Sequence, residues 1–154
     1  MFVDYSIDLD LPDHLVAQLL TGNAAQMEGM GAAAYRRGEE LRSRVGPPGP
    51  LAKEVVIAVD KPFMSRHGAV VPIRWRATGA SALFPRLNGE LSVQRREEGG
   101  CTIHLQATYQ PPFGSIGGLM DRMALAGIAR ATVADWVDRI GEWVTSTAGE
   151  LAER

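Results

Sequence analysis

The chain has 154 residues, a formal net charge of −2 at pH 7, and 45% hydrophobic residues, among which 20 are alanines and few are aromatic. This length is sufficient for one domain, residues 1–154, whose hydrophobic core needs no disulfide or structural metal. The near-neutral charge excludes a general electrostatic attraction to nucleic acid or to an anionic membrane, and the apolar content excludes intrinsic disorder.

Cysteine content and charge placement predict a cytoplasmic protein. Cys101 is the single cysteine and has no partner for an internal disulfide, which is typical of a reducing compartment. Asp4, Asp8 and Asp10 interrupt any apolar leader at the N-terminus. The longest weakly charged stretch, 111–119, is rich in Pro and Gly and too short to span a bilayer.

The N-terminal part predicts one strand followed by two short helices. From Val3 to Leu11, apolar residues alternate with acidic or polar ones, as in a half-buried strand. Pro12 and Asp13 then begin a helix that ends near residues 21–23. Residues 24–45 have helical spacing of apolar positions, although three glycines weaken this helix.

The middle of the chain predicts an antiparallel meander. Residues 54–60 form a Val/Ile-rich run typical of a strand, and runs with a period of two are found at residues 70–77, 90–96 and 101–109. Asn88-Gly89 indicates a tight turn or the start of a strand, and residues 97–100 indicate a hairpin loop. Short links between alternating strands favour a sheet that is buried on one face only.

The C-terminal part predicts one long helix from Ser115 to Thr145, with the tail after Thr145 fraying. Apolar or small residues recur every three to four positions, and charged residues mostly occupy the opposite side. The predicted fold class is therefore α+β, with the long helix covering the apolar face of a curved antiparallel sheet.

Three segments resemble a known superfamily: Val71–Ala77, Leu83–Leu91, and the stretch from Tyr109 to Arg122 that leads into the long helix. They are similar to the START-like (SRPBCC) proteins, which include birch-pollen-allergen-like and polyketide cyclase-like members, and most of all to small actinobacterial members of unknown function. The resemblance implies a helix-grip fold, in which about seven strands wrap around the C-terminal helix and leave a ligand cavity. Residues 22–50 depart from the family pattern, so the cavity entrance is not assigned.

No pattern of residues indicates a metal, a nucleotide or a nucleophile, and no cofactor is expected. His14, His67 and His104 lack partners at metal-ligand spacing. Ser115 is interpreted as the cap of the long helix, because no nucleophile-elbow pattern surrounds it. Strand alternation places His104 on the solvated face and Tyr109 on the inner face, where it is either a core residue or a group that orients a ligand.

The candidate ligand-binding residues are those predicted to face one another between sheet and helix. They are Trp75, Leu91, Ile103, Leu105 and Tyr109 from the sheet and Met120, Met123, Gly127 and Ala131 from the helix. Small residues along the middle of the helix leave room, and methionines form an adaptable apolar wall. Together with the family resemblance this favours a cavity; the alternative is a solid core.

Three functions are compatible with this pattern. The first is non-enzymatic binding of a small hydrophobic or amphipathic molecule, such as a lipid, polyketide or isoprenoid, by a monomer or weak homodimer. The second is a polyketide cyclase, aromatase or dehydratase with Tyr109 as acid or base. The third is a protein-interaction or co-chaperone-like module that uses the arginine-rich outer face around Arg74 and Arg76.

Overall fold

The computed structural model describes residues 1–45, 55–77, 86–110 and 122–154. Its elements in chain order are β1 (Phe2–Leu9), α1 (Asp13–Gly22), α2 (Ala24–Val45), β2 (Val55–Val59), β3 (Phe63–Ser65), β4 (Gly68–Ala77), β5 (Arg86–Arg95), β6 (Cys101–Gln110) and α3 (Arg122–Ala152). This order of elements confirms the predicted α+β class.

All six strands form one antiparallel sheet in the order β1-β6-β5-β4-β2, with β3 also paired to β4. About seven strands were expected, and the described residues contain six. β1 lies beside the last strand and forms one edge of the curved sheet, and β2 and β3, which both pair with β4, form the other. The face covered by the helices is called the concave face below, and the opposite face is called the convex face.

Period-two alternation divides the residues of β6 between these faces. The residues of β6 buried on the concave face are Cys101, Ile103, Leu105, Ala107 and Tyr109. The residues between them are partly or fully exposed on the convex face. The burial expected from the alternation is confirmed in this strand, because successive side chains point to opposite faces of the sheet.

Of the two alternatives at Asn88-Gly89, the structure excludes the turn and places both residues near the start of a strand, and it confirms the hairpin loop. β5 begins at Arg86 and runs straight through Asn88 and Gly89, so no turn forms there. Gly89 is needed for close approach, because a Cβ would overlap the carbonyl oxygen of Gln106 and lie 2.6 Å from the Cβ of Ala107. At the predicted hairpin loop, Gly99 and Gly100 have φ angles of +99° and +75°, which favour glycine.

The alternation of apolar and polar residues does not predict the short strand β3. β2 pairs with the second half of β4 and β3 pairs with its first residues, on either side of Pro72. The amide of Asp60 donates to the Pro72 carbonyl at 2.9 Å, whereas Pro72 has no N–H to return. The pairing partner of β4 therefore changes at the position where proline cannot donate.

The helix α3 extends beyond its predicted end and presents a different face from the one expected in its first half. It continues to Ala152, so the expected fraying after Thr145 is wrong, whereas residues 115–121 lie outside the described part. Its fully or nearly fully buried residues are Ala129, Val133, Trp136, Val137, Ile140 and Val144. Gly127 and Ala131 are exposed, which corrects their predicted inward orientation.

The packing of α2 against α3 explains why Gly127 and Ala131 face outward. A Cβ on Gly38 would overlap the Thr132 side chain, and one on Gly31 would lie 3.1 Å from the indole nitrogen of Trp136. In this part of α3 the buried side is therefore turned toward α2. Gly127 and Ala131 lie about 200° around the helix from Ala129, on the far side.

The buried thiol of Cys101 provides a test of this core. Cys101 is 0% exposed, and burial raises the pKa of its thiol. Because only the thiolate is reactive, we expect Ellman's reagent at pH 8 to modify the native protein about a hundredfold more slowly than the urea-unfolded chain. Equal rates in the two states would contradict the described packing of β6.

Candidate functional site

A continuous row of apolar side chains crosses the concave face at one end of the sheet. Consecutive cross-strand partners form it: Ile57 pairs with Trp75, Trp75 with Leu87, and Leu87 with Tyr109. All four are at most 9% exposed. This row, called the Trp75 row, lies at the end where β2 and β5 begin and β4 and β6 finish.

Two aromatic side chains from the helices pack over Trp75. The Tyr35 ring of α2 lies 6.4 Å from the Trp75 ring at 76°, and the Trp136 ring of α3 lies 5.1 Å away at 67°. Both contacts are edge-to-face, the arrangement that aromatic quadrupoles prefer. The indole nitrogen of Trp136 donates to the Met27 carbonyl at 3.0 Å, which ties α3 to α2 across the row.

The indole N–H of Trp75 differs from that of Trp136. Its nitrogen is buried and has no hydrogen-bond acceptor among the described residues. A buried donor without an acceptor costs about 1–3 kcal/mol, and such groups are rare in native proteins. The site thus combines an apolar, aromatic surface with one buried donor that can accommodate an acceptor.

The predicted site residues lie in different parts of the structure. Trp75 and Tyr109 share the Trp75 row, whereas Leu91, Ile103 and Leu105 are fully buried further along the sheet. Met120 lies outside the described residues, and so does the side chain of Met123. Gly127 and Ala131 are on the exposed side of α3, away from the row.

Sequence reasoning missed Ile57, Leu87, Tyr35 and Trp136 as neighbours of Trp75. Ile57 could have been found from the apolar run of β2, and Trp136 from the 129-133-136-140 spacing of α3. Leu87 was hidden because Asn88-Gly89 favoured a turn. Tyr35 lies in a glycine-rich helix whose packing partner has no sequence signal.

The convex face carries a polar network around His104. His104 Nε2 lies 2.9 Å from Asp4 Oδ2, the Gln106 amide donates to the same oxygen at 3.3 Å, and Thr102 Oγ1 donates to Asp8 at 2.6 Å. The hydrogen bond with His104 lowers the pKa of the Asp4 carboxyl. Within the described ranges no three His, Cys, Asp or Glu side chains come together in a way that could hold a metal ion.

Three arginines in the arginine-rich part of the chain contact nearby acids. Arg74 contacts Asp60 at 2.7 Å, and Arg95 contacts Asp13 at 3.1 Å. Arg96 lies 3.9 Å from Asp10 and 3.5 Å from Glu98. These contacts partly compensate the positive charge of Arg74, Arg95 and Arg96.

Comparison with known proteins gives fold-level similarity. No protein-family model and no curated protein matches the chain. Solved structures that do match include a hypothetical protein from Helicobacter pylori, with 10% identity, 90% of this chain and 87% of that chain covered, and a TM-score of 0.49. Ara h 8.0201 matches with 10% identity, coverage of 95% and 98%, and a TM-score of 0.43.

An aromatase/cyclase from a Streptomyces species matches with 11% identity, coverage of 94% and 93%, and a TM-score of 0.44. At these identities no ligand and no reaction carries over to this chain. The strand order, the curved sheet and the long C-terminal helix described above nevertheless agree with the resemblance found in the sequence. The described residues have a helix-grip architecture, in which a curved antiparallel sheet packs against a long C-terminal helix.

In this helix-grip protein, the described part of the concave face carries few ionisable groups. No Asp, Glu, His, Lys or Arg among the described residues is buried. Near the Trp75 row, the buried titratable groups of the described chain are the phenols of Tyr35 and Tyr109.

None of the helices in the described part of this helix-grip protein combines the length and the apolar content that crossing a membrane requires.

Proposed function

We propose that the protein binds a small hydrophobic or amphipathic molecule at the Trp75 row, without chemically changing it. The main observation in support of this proposal is the buried indole N–H of Trp75, which lacks an acceptor among the described residues. An acceptor atom of a bound molecule would offset the cost of burying that donor, and no other group in the described row does so. Lipids, polyketides and isoprenoids are the chemical classes that fit.

The surroundings of Trp75 indicate the form of this molecule. The side chains of Ile57 and Leu87 and the rings of Tyr35 and Trp136 are the apolar groups around Trp75. Burial of ligand surface against such groups contributes about 25 cal/mol per Å². Because the described row contains no cation, a neutral acceptor such as a carbonyl or hydroxyl oxygen fits better than a carboxylate. The ligand is therefore expected to be an apolar body with a neutral oxygen directed at Trp75.

Native mass spectrometry, followed by solvent extraction, tests the proposal directly. We expect a co-purified neutral hydrophobic compound, and we expect farnesol to quench tryptophan fluorescence saturably when it is added to stripped protein. Absence of both a co-purified compound and saturable quenching would overturn the proposal.

The Trp75→Phe variant tests the role of the indole N–H. It keeps an aromatic ring but removes the donor, so we expect about threefold to tenfold weaker binding of the extracted compound or farnesol. Trp143→Phe is the matched control, because Trp143 lies on α3 and is only partly buried. Equal affinity of Trp75→Phe and wild type, measured by isothermal titration, would show that Trp75 does not hold the ligand.

A further inference from the structure

The two edges of the sheet differ in whether other described residues contact their outer backbone groups. At the β2 edge, Glu28 of α2 accepts the Val59 N–H at 3.5 Å, and α2 packs so closely that a Cβ on Gly31 would overlap Ile57. At the β1 edge, no described residue pairs with the outer side of the strand. We propose that this open edge binds an extended, basic peptide segment of another protein, which adds to the sheet as a further strand.

The register shows which backbone groups are available. Tyr109 N–H donates to the Met1 carbonyl at 2.7 Å, and the Met1 amino group donates to the Tyr109 carbonyl at 2.9 Å. In an antiparallel ladder, the backbone N–H and C=O groups of the odd-numbered residues of β1 therefore form the hydrogen bonds with β6. The even-numbered residues direct their N–H and C=O groups to the outer edge: Phe2, Asp4, Ser6 and Asp8.

The aspartates of β1 do not shield this edge. Charged side chains on an edge strand commonly block pairing with another chain. Here Asp4 is held over β6 by His104 and Gln106, and Asp8 is held there by Thr102. Their carboxylates are therefore drawn back across the convex face, and no described residue pairs with the row of outward backbone groups.

A groove lies alongside the same edge on the concave side. It has a volume of about 600 Å³ and is lined by Ile7, Leu9, Asp138, Gly141, Glu142, Thr145 and Ser146. Gly141 allows α3 to approach Ile7 closely, and Tyr5 donates to Asp138 at 2.9 Å beside the groove. Every second side chain of an added strand would enter this groove, where apolar residues fit against Ile7 and Leu9.

The charges beside the β1 edge determine which kind of peptide segment can bind there. The charged residues that line the groove, Asp138 and Glu142, are both acidic, and Asp4 and Asp8 lie on the other side of the edge. A second copy of this chain would bring its own aspartates of β1 against these groups, which is unfavourable. A segment that alternates valine-like residues with Lys or Arg places its apolar side chains against Ile7 and Leu9 and its cations beside Asp4 and Asp8 on the convex side, within an edge whose groove is also acidic.

A fluorescein-labelled peptide of alternating Lys and Val, nine residues long, is the probe for fluorescence anisotropy. We expect saturable binding, and slower amide hydrogen exchange at Ser6 and Asp8 in the complex. The same peptide with Glu in place of Lys should not bind. Equal binding of the two peptides would overturn the charge argument.

Ser6→Pro removes one outward N–H without removing a hydrogen bond to β6, and Ser6→Ala is its matched control. We expect about fivefold to tenfold weaker binding for Ser6→Pro and wild-type binding for Ser6→Ala. Should Ser6→Pro lose its native circular dichroism, the lysine peptide N-methylated at alternate residues provides the same test on wild-type protein. Unchanged binding in that test would overturn strand addition.

Sedimentation equilibrium distinguishes a second copy as the occupant. A wild-type dimer that Glu142→Lys or Ser6→Pro abolishes would show that the edge pairs with itself and would overturn the basic-peptide proposal. A wild-type monomer, with lysine-peptide binding weakened about threefold by Glu142→Lys, is the expected result. Both measurements are independent of ligand binding at the Trp75 row.

Discussion

Replacing Trp136 by alanine is expected to lower the free energy of unfolding by about 3–5 kcal/mol, the range for truncating a large buried aromatic side chain. Trp136 is 0% exposed and packs edge-to-face on Trp75 at 5.1 Å. Its removal would leave a cavity between α2, α3 and the sheet, and would also leave the Met27 carbonyl without its donor. Urea denaturation followed by circular dichroism measures the loss.

Two further variants distinguish how ring packing and the hydrogen bond of Trp136 contribute to the free energy of unfolding. Trp136→Phe keeps most of the ring but removes the hydrogen bond to Met27, so a smaller loss of about 1–3 kcal/mol is expected. Trp143→Ala, on the same helix but only partly buried, should cost less than Trp136→Ala. If Trp136→Ala were no more destabilising than Trp143→Ala, Trp136 would not join α2, α3 and the sheet as described.

Replacing Gly89 by alanine is expected to destabilise the protein by about 1–3 kcal/mol, although a single methyl group is added. The added Cβ would overlap the backbone carbonyl oxygen of Gln106, which cannot move without separating β5 from β6. Gly89 lies one concave-face row away from the Trp75 row, since its partners are Ile73 and Ala107. The same variant should therefore also disturb the shape of the candidate site.

The same substitution at Gly127 is the matched control and should have the opposite sign. Gly127 is exposed within α3, and nothing lies within 4 Å of an added Cβ. Alanine is favoured over glycine in a helix by about 1 kcal/mol, so Gly127→Ala should be stabilising. Equal effects of the two substitutions on the urea midpoint would contradict the close approach of β5 and β6.

Local patterns predict much of this fold because they depend on neighbours along the chain. Alternation in 101–109 identified the buried face of β6, and helical spacing in 24–45 identified α2. Local patterns failed where a distant element decides the outcome. Asn88-Gly89 favours a turn in isolation, yet the pairing of β5 with both β4 and β6 holds these residues in a strand.

The candidate site was predicted only in part for the same reason. Trp75 and Tyr109 were identified from the period of their strands, which does not depend on what packs above them. Gly127 and Ala131 were misplaced because small residues at helical spacing resemble a core stripe until α2 is positioned. Which other side chains surround Trp75 depends on strand register and on the contact between α2 and α3.

By itself, then, the sequence determined the class of fold, the inner face of the strands and the apolar character of the site. Only the tertiary structure decided which face of α3 is buried, that Trp75 keeps a buried donor without a described acceptor, and that no described residue pairs with the outer side of β1. The physical reason is that period reflects the geometry of a single element, whereas burial, hydrogen-bond satisfaction and edge coverage depend on groups far apart in the chain.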